Sequence, residues 1–302
     1  MELELVSILI PVYNRVSLVG ETIESAINQT YKNIEIIIVD NCSTDGTWDL
    51  LKYYAEQDRR IRIFKNNENI GPVRNWKRCL DKAKGKYSKI LWSDDTIDKN
   101  FIEKTITKFD DNTAFVMTGF LLFDSEAIVK RSFFQVNTVI DKNIYFNNIL
   151  FDNKQQFPVS PGNAIFRTID LMTAYTESTE IKELKYDFLK SGAGTDLFFF
   201  LLTAQKYNNI RCHNEILSFY RMHTNSISET NRLEILYSYE ICKISFILNY
   251  KPELLSIKKS DILLKSINLK HLRNLTDLID TKYSLIYILK KVWKKLQLNS
   301  QS

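Results

Sequence analysis

The stretch Lys89-Ile90-Leu91-Trp92-Ser93-Asp94-Asp95 is an apolar run that ends in two adjacent carboxylates. Such a run is typical of a buried strand, and open α/β sheets keep their ligand sites at the carboxyl ends of their strands. Asp94 and Asp95 would then be placed to hold a hard divalent cation against a diphosphate. The alternative is a solvent-exposed turn, because Asp is common in the turns that follow strands.

The residues before this stretch predict alternating strands and helices. Strands are predicted at residues 6–14, 34–40, 61–64 and 89–93, and helices around residues 18–27, 50–54 and 73–83. The nearly continuous apolar character of residues 34–40 suits a parallel strand that is covered on both faces. The order therefore predicts an α/β fold with a mostly parallel central sheet flanked by helices, and with Asp40 and the acidic pair at one edge.

Four motifs occur in this part of the chain. They lie at residues 7–14, at residues 38–45, at Asn69-Ile70-Gly71 with Arg74-Asn75, and at residues 83–87. They resemble, in the same order, four features of the family 2 glycosyltransferases of the GT-A fold: the opening strand, the "VDDGSTD" nucleotide loop, the "NxGxxxARN" stretch and the segment before the acidic pair. The resemblance is strong over residues 5–100, patchy to residue 230 and absent beyond it. It implies an inverting nucleotide-sugar transferase.

The resemblance also implies the residues that bind the donor, a UDP-sugar or, less favoured, a dTDP-sugar. These are Pro11, Val12, Tyr13, Asp40 and Arg74. Asp40 would accept a hydrogen bond from the imide N–H of the base, the first three would line the base pocket, and Arg74 would reach the diphosphate or the base edge. Three of them have alternative roles, since Asp40 suits a helix cap, Tyr13 suits ordinary packing and Arg74 suits a solvated helix face. Asn41 replaces the second aspartate of the family loop.

The acidic pair is the implied metal site. Trp92 stands at the first position of the family's carboxylate, spacer and carboxylate motif, so Asp94 and Asp95 carry the role. Asp94 would lie near the donor ribose and the cation, and Asp95 would be the direct ligand of Mg²⁺ or Mn²⁺, which neutralises the departing diphosphate. Trp92 would wall the donor sugar or simply be a buried aromatic residue beside the sheet edge.

The implied catalytic base is Asp196, which follows the small-residue loop 191–195 and opens an apolar helix. A carboxylate within hydrogen-bond reach of an acceptor hydroxyl can take its proton as the oxygen attacks the anomeric carbon. Asp is also favoured at helix N-termini for capping, which is the alternative role. Thr195 stands where the family usually has a glutamate.

Two further segments resemble family motifs. Residues 217–228 resemble an "RxHxxSxS" run, in which His223 would complete the metal site and Arg221, with Thr224 and Ser226, would contact phosphate oxygens. A structural histidine is the alternative for His223. Residues 159–167 resemble the acceptor side of the site, which makes Gly162 and Asn163 candidate acceptor-binding residues.

Composition agrees with a cytoplasmic enzyme. The 302 residues carry a formal net charge of +5, and the four cysteines show neither CxxC pairing nor metal spacing. No signal peptide and no apolar run of the roughly 20 residues that a membrane span needs is recognised. We expect a GT-A catalytic domain at residues 1–230 and a helical extension at residues 231–302.

The tail 281–302 combines an apolar face, basic residues and aromatic residues. This pattern predicts an interfacial helix that places the enzyme peripherally on the inner membrane face. A helix that docks on its own domain, or joins two subunits of a homodimer, is the alternative.

The sequence as a whole predicts a metal-dependent, inverting glycosyltransferase that acts on a surface glycan or a lipid-linked saccharide acceptor. Two other classes compete with this interpretation. A catalytically inactive family member, acting as a sugar-binding or scaffold subunit, is kept open by the replacements at Asn41, Trp92 and Thr195. A nucleic-acid-binding protein is disfavoured, because the basic residues are scattered among acidic ones and no nucleic-acid motif occurs.

Overall fold

The computed structural model describes residues 3–124, 127–151, 157, 159–179, 186–189, 192–223 and 232–268. Its first half alternates strands and helices: β1 (Val6–Val12), α1 (Val19–Ile27), β2 (Ile34–Asp40), α2 (Thr47–Gln57), β3 (Ile61–Lys65), α3 (Pro72–Lys82) and β4 (Tyr87–Ile90). These strands are parallel in the order β3-β2-β1-β4. Every residue of β1 and β2 is buried, as their apolar sequences predict.

The second half adds shorter strands and more helices. They are β5 (Thr96–Ile97), α4 (Phe101–Ile106), β6 (Thr113–Phe123), β7 (Ile128–Ser132), β8 (Thr138–Asp141), α5 (Lys142–Phe151), β9 (Ala164–Arg167), α6 (Thr168–Ala174), α7 (Thr195–Lys206), β10 (Asn209–Arg221), α8 (Arg232–Tyr250) and α9 (Leu255–Asn268). Single 3₁₀ turns lie at Pro161–Asn163 and Pro252–Leu254.

The sheet is mixed in this second half, so the expectation of a mostly parallel sheet needs correction there. The order continues from β4 through β9, β6 and β10 to β5. Strand β9 is antiparallel to both β4 and β6, and β7 is antiparallel to β6. A short connection such as that between β6 and β7 can join antiparallel strands only, because a parallel pair needs a long crossover.

Helices cover both faces of the sheet and bury separate apolar clusters. Helices α1, α2 and α4 contribute to one cluster, for example through Ile23, Leu51 and Phe101. Helices α3 and α5 to α9 contribute to the other, which includes Phe199 of α7 and Phe246 of α8. The α/β architecture with flanking helices is therefore confirmed.

The C-terminal helices α8 and α9 share this second cluster with α7. The division of the chain at residues 230 and 231 stays a prediction. None of the described helices has the length and apolar character that a membrane crossing requires. The tail 281–302, for which an interfacial helix is predicted, lies outside the described residues.

Candidate active site

The loops after β1 and β2 are tied together where the two strands end. Asp40 is fully buried at the end of β2, and its carboxylate accepts the backbone N–H of Ser43 at 3.1 and 3.3 Å. Ser43 Oγ in turn accepts the backbone N–H of Asn14 at 2.9 Å, and Asn14 Oδ1 accepts the N–H of Thr44 at 2.9 Å. A carboxylate has about four acceptor positions, so Asp40 keeps capacity for a further donor such as a base N–H.

The predicted base-pocket residues differ in exposure. Pro11 is buried and Val12 is only 1% exposed, whereas Tyr13 is 41% exposed. Of the three, Tyr13 therefore presents the surface on which a base could stack. Arg74 lies exposed on α3, and its guanidinium pairs with Glu177 at 3.2 Å. The structure does not connect Arg74 to the acidic pair.

Asp94 lies at the centre of a charged cluster after β4. Its Oδ2 atom is 2.9 Å from Nε2 of His223 and 3.4 Å from Nε of Arg15. The structure therefore brings together Asp94 and His223, which lie 129 positions apart in sequence. Arg15 was not predicted, because no motif marks it; it also donates to the carbonyl of Asn14 at 3.0 Å. Its ion pair with Asp94 links the loop after β1 to the acidic pair.

Asp95 is buried beside this cluster. Burial raises the pKa of Asp95 well above its ordinary range, and the neighbouring Asp94 adds to the effect. Its Oδ1 atom accepts the backbone N–H of Arg221 at 3.0 Å. The Arg221 side chain pairs instead with Glu21. Contact between this guanidinium and a phosphate stays a prediction, and Thr224 and Ser226 lie outside the described residues.

The donor set of this cluster suits Mg²⁺ or Mn²⁺, although the described residues include no group of three or more His, Cys, Asp or Glu side chains arranged to hold a metal. Two carboxylates and an imidazole are the ligand types that such cations accept. The raised pKa of Asp95 reflects an electrostatic cost of burying adjacent carboxylates, which a divalent cation would offset. The residues therefore fit a cation, and their role as ligands stays a prediction.

An aromatic wall formed by Trp76, Trp92 and Tyr220 lies beside the acidic pair. The rings of Trp92 and Trp76 are 4.8 Å apart, and Trp92 Nε1 donates to Ser160 Oγ at 3.1 Å. A Cβ atom on Gly162 would lie 2.9 Å from the ring of Tyr220 and 3.1 Å from that of Trp92. Only glycine fits against this wall.

Asn163 follows in the same turn and is fully buried. Its side-chain amide donates to the carbonyl of Thr118 at 2.7 Å. Asn163 therefore anchors the turn to β6. Direct contact of Asn163 or Gly162 with the acceptor stays a prediction.

Lys89 is a further residue that the sequence analysis did not place in the site. It is fully buried, and its Nζ atom donates to the carbonyls of Ile90, at 2.9 Å, and Gly162. Burial lowers the pKa of Lys89 to about 7, against an opposing effect of Asp95. The sequence did contain a signal for Lys89, because it lies in an apolar run predicted to be a buried strand. A buried lysine needs polar partners, which indicates a polar site nearby.

Asp196 lies in the first turn of α7, as predicted. Gly192, two residues before that helix's N-cap, has a φ of +78°, and a Cβ there would lie 2.1 Å from the ring of Trp76. A side chain at Gly192 would therefore collide with Trp76, which explains the glycine at this position of the loop. The Oδ1 atom of Asp196 accepts the backbone N–H groups of Gly194, at 2.9 Å, and Leu197, at 2.7 Å. Burial raises the pKa of Asp196 to about 6 despite these hydrogen bonds.

Tyr239 is the partner of Asp196 that sequence reasoning missed. Its hydroxyl donates to Oδ2 of Asp196 at 2.7 Å from helix α8. Tyr220 of β10 interacts electrostatically with both Tyr239 and Asp95. No motif or spacing in the sequence marks Tyr239, because its contact arises from the packing of α8 on α7.

The replaced family positions are engaged in local structure. Asn41 Oδ1 accepts from the side chain of Asn66 at 2.8 Å and from the backbone of Ile70 at 3.0 Å. Thr195 Oγ1 donates to the carbonyl of Thr176 at 2.6 Å. Both side chains therefore hold loops that border the site.

Solved structures share this fold. Residues 1–349 of TarS from S. aureus superpose with a TM-score of 0.61 at 16% identity, covering 92% of this chain and 91% of that one. A mannosyltransferase from Pyrobaculum calidifontis, solved with GDP-Man and Mn²⁺, gives a TM-score of 0.55 at 16% identity, covering 96% and 87%. With its parallel half-sheet, helices on both faces and acidic edge, the chain has the GT-A fold of these neighbours.

Sequence comparison identifies the family. The family described as "Glycosyl transferase family 2" matches residues 7–171. TuaG of Bacillus subtilis, named as a teichuronic acid biosynthesis glycosyltransferase, is 30% identical over 74% of this chain and 81% of its own length. WfaP of Escherichia coli, named as a β-1,3-glucosyltransferase, is 29% identical over 80% of this chain and 86% of its own length. The chain belongs to glycosyl transferase family 2, and it is a glycosyltransferase.

Proposed function

We propose that this chain transfers a sugar, with inversion and with the help of a divalent cation, from a UDP-sugar to a hydroxyl of a lipid-linked or surface glycan acceptor. The observation that carries the proposal is one hydrogen-bonded path. It runs from the predicted base acceptor to the predicted metal ligands through Asp40, Ser43, Asn14, Arg15, Asp94 and His223.

The relatives support UDP and a lipid-linked acceptor. The name of WfaP gives UDP-Glc as its donor and α-D-GlcNAc-diphosphoundecaprenol as its acceptor. TarS has been solved with UDP-GlcNAc, at a TM-score of 0.58 to this chain. An acceptor of this kind would place the enzyme at the cytoplasmic face of the membrane, where the basic tail would find anionic lipid. A homodimer formed through the C-terminal helices is the alternative use of that tail.

Asp196 acts as the general base in this proposal. Its pKa of about 6 leaves it ionised at neutral pH and close enough to the working pH to accept a proton efficiently. It takes the proton of the acceptor hydroxyl as that oxygen attacks the anomeric carbon from the face opposite the diphosphate. General-base assistance of this kind contributes roughly 10²–10⁴-fold in rate.

The donor end relies on fixed charges. Asp40 would orient the base and Tyr13 would stack on it. Arg15, which pairs with Asp94, and Arg221, whose backbone N–H binds Asp95, would supply positive charge to the diphosphate. When bound, Mg²⁺ or Mn²⁺ would be held by Asp95 with Asp94 and His223 and would neutralise the charge of the leaving UDP.

The test is UDP binding measured by calorimetry with Mn²⁺ and with EDTA. In the wild type we expect Mn²⁺ to tighten UDP binding. In Asp95→Asn the factor by which Mn²⁺ tightens UDP binding should be at least about tenfold smaller. The reason is that even outer-shell partners of a metal contribute roughly 10–100-fold to its affinity. Turnover, followed as UDP release from UDP-glucose and UDP-N-acetylglucosamine, should be lost.

Asp81→Asn provides the matched control, because Asp81 is a carboxylate on the surface of α3 that pairs with Lys77. It should keep both the Mn²⁺ response and the turnover. Wild-type behaviour of Asp95→Asn would remove the metal assignment. UDP binding without turnover by the wild-type protein on any donor or acceptor would favour the inactive, scaffold-like alternative.

A further inference from the structure

The carboxylate of Asp196 is held from two separate parts of the chain. Its Oδ1 atom accepts two backbone N–H groups of its own loop and helix, those of Gly194 and Leu197. Its Oδ2 atom accepts the hydroxyl of Tyr239, which lies 43 positions later on α8. Asp196 is only 9% exposed, so these partners replace most of its hydration.

We propose that Tyr239 is a positioning residue for the base: its hydroxyl orients Oδ2 of Asp196 and stabilises the charged, proton-accepting carboxylate. The inference deepens the proposed function and rests on the role of Asp196 given there. It makes helix α8, which lies beyond the region of family resemblance, part of the catalytic machinery.

Lone-pair geometry gives the physical reason. Each carboxylate oxygen accepts about two hydrogen bonds, so the two N–H groups fill Oδ1. Oδ2 keeps one position beside Tyr239, and an acceptor hydroxyl can occupy it. Burial and the charge of Asp196 raise the pKa of Tyr239 well above its usual range, so Tyr239 stays protonated and donates. A hydrogen bond to the ionised form favours that form.

Among the described residues, the other titratable groups that interact with this pair come from α8 and β10. Cys242 faces Asp196 from α8, and burial raises its pKa well above the ordinary range, which keeps the thiol neutral. Glu240 and Lys243 interact with Cys242, and Tyr220 of β10 faces Tyr239. Tyr239 is the side chain among these that donates directly to the carboxylate.

Helix α8 is fixed at the position of Tyr239 by buried charges. Glu240 is 2.7 Å from Nζ of Lys258 on α9 and 3.1 Å from Nζ of Lys243. Lys258 also donates to the carbonyl of Leu150 on α5 at 2.7 Å. These contacts hold the residue next to Tyr239 against two other helices, so the hydroxyl of Tyr239 has a set position.

The direct test is the titration of Asp196 by carbon NMR of the protein labelled at its Asp carboxyl carbons, with the signal assigned through Asp196→Asn. In Tyr239→Phe we expect the titration midpoint to rise by about one pH unit or more, since a hydrogen bond to a charged group is lost. Tyr145→Phe is the matched control. It removes another fully buried hydroxyl, one without a hydrogen-bond partner among the described residues, and should leave the midpoint unchanged.

The kinetic test is the pH dependence of UDP release from UDP-glucose and UDP-N-acetylglucosamine. In Tyr239→Phe the acidic limb should move to higher pH by the same amount, with the larger loss of rate at low pH. An unchanged NMR midpoint, or a uniform loss of rate at every pH, would overturn the role of Tyr239. A midpoint that moves while the acidic limb does not would overturn the assignment of Asp196 as the base.

Discussion

At the scale of single residues, the proposed base Asp196 carries a cost in stability. Its pKa of about 6 in the folded protein is above its ordinary value of 3.8, with burial as the largest cause. A group whose pKa is raised by folding stabilises the protein fully below its unfolded-state pKa and loses that contribution as the pH rises through its folded-state pKa. Ionisation of Asp196 between these values therefore opposes folding.

Replacement of Asp196 by Asn should separate the two effects. Asn can keep the loop contacts but does not titrate. The stability of the variant relative to the wild type should therefore increase as the pH is raised from 4 to 8. The gain should be on the order of 3 kcal/mol at most, from a shift of about two pKa units. Urea unfolding at the two pH values measures it, and transfer should fall by roughly 10²–10⁴-fold. A stability difference independent of pH would contradict the assigned pKa shift.

Motifs in the sequence mark part of the candidate site, whereas other contacts in it arise from packing and carry no motif. Asp94 and His223 were predicted from separate motifs, and the structure places them 2.9 Å apart. Tyr239 reaches Asp196 from a helix that carries no family motif, and Arg15 reaches Asp94 through the local course of a loop. Contacts of this kind depend on tertiary packing, which no spacing rule in one sequence encodes.

At the scale of elements, prediction succeeded where the hydrophobic pattern is long. Strand β2 spans Ile34–Asp40, the range predicted, and α3 spans Pro72–Lys82 against a predicted 73–83. The strands from β5 to β9 were not predicted in detail. Several have only two to five residues, and β7 is largely exposed, so they carry little periodic signal.

The helices α5, α8 and α9 are joined by the buried lysine Lys258. Its Nζ atom lies 2.7 Å from Glu240 and 2.9 Å from Asp261. Lys258→Met removes one partner from the buried carboxylate of Glu240, a change that typically costs about 3–5 kcal/mol of stability. We expect a loss near the lower end, about 3 kcal/mol, because Lys243 still pairs with Glu240. Urea unfolding at pH 7 measures this loss.

Lys52→Met is the control for this prediction, since Lys52 forms a surface pair with Asp49 on α2. Exposed pairs contribute little, so its unfolding midpoint should stay that of the wild type. If the buried and the surface variants unfolded at the same urea concentration, the charges around Lys258 would not hold the helices together.

At the scale of the whole molecule, the chain joins a parallel half that the sequence predicts well to a mixed half that it does not. The predicted donor-side residues Asp40 and Asp94 lie at the end of the parallel half, and the proposed base Asp196 lies on a helix of the second half. The first half follows from repeated strand and helix patterns. The second depends on the order in which β9, β6 and β10 insert, which the local sequence leaves open.

The tail beyond the described helices provides the last prediction. Residues 281–302 include Lys282 and the pairs Lys290-Lys291 and Lys294-Lys295 among apolar residues. Each lysine near an anionic lipid surface contributes about 1 kcal/mol, so deletion of residues 281–302 should release the protein from phosphatidylglycerol vesicles at low salt. UDP release should survive, because the proposed site residues end at Tyr239. Full-length protein with glutamine at both lysine pairs is the control, and it should bind these vesicles weakly while keeping its activity. Should the intact protein ignore anionic vesicles, or the shortened one lose its fold, the tail would instead pack on the enzyme or on a second subunit.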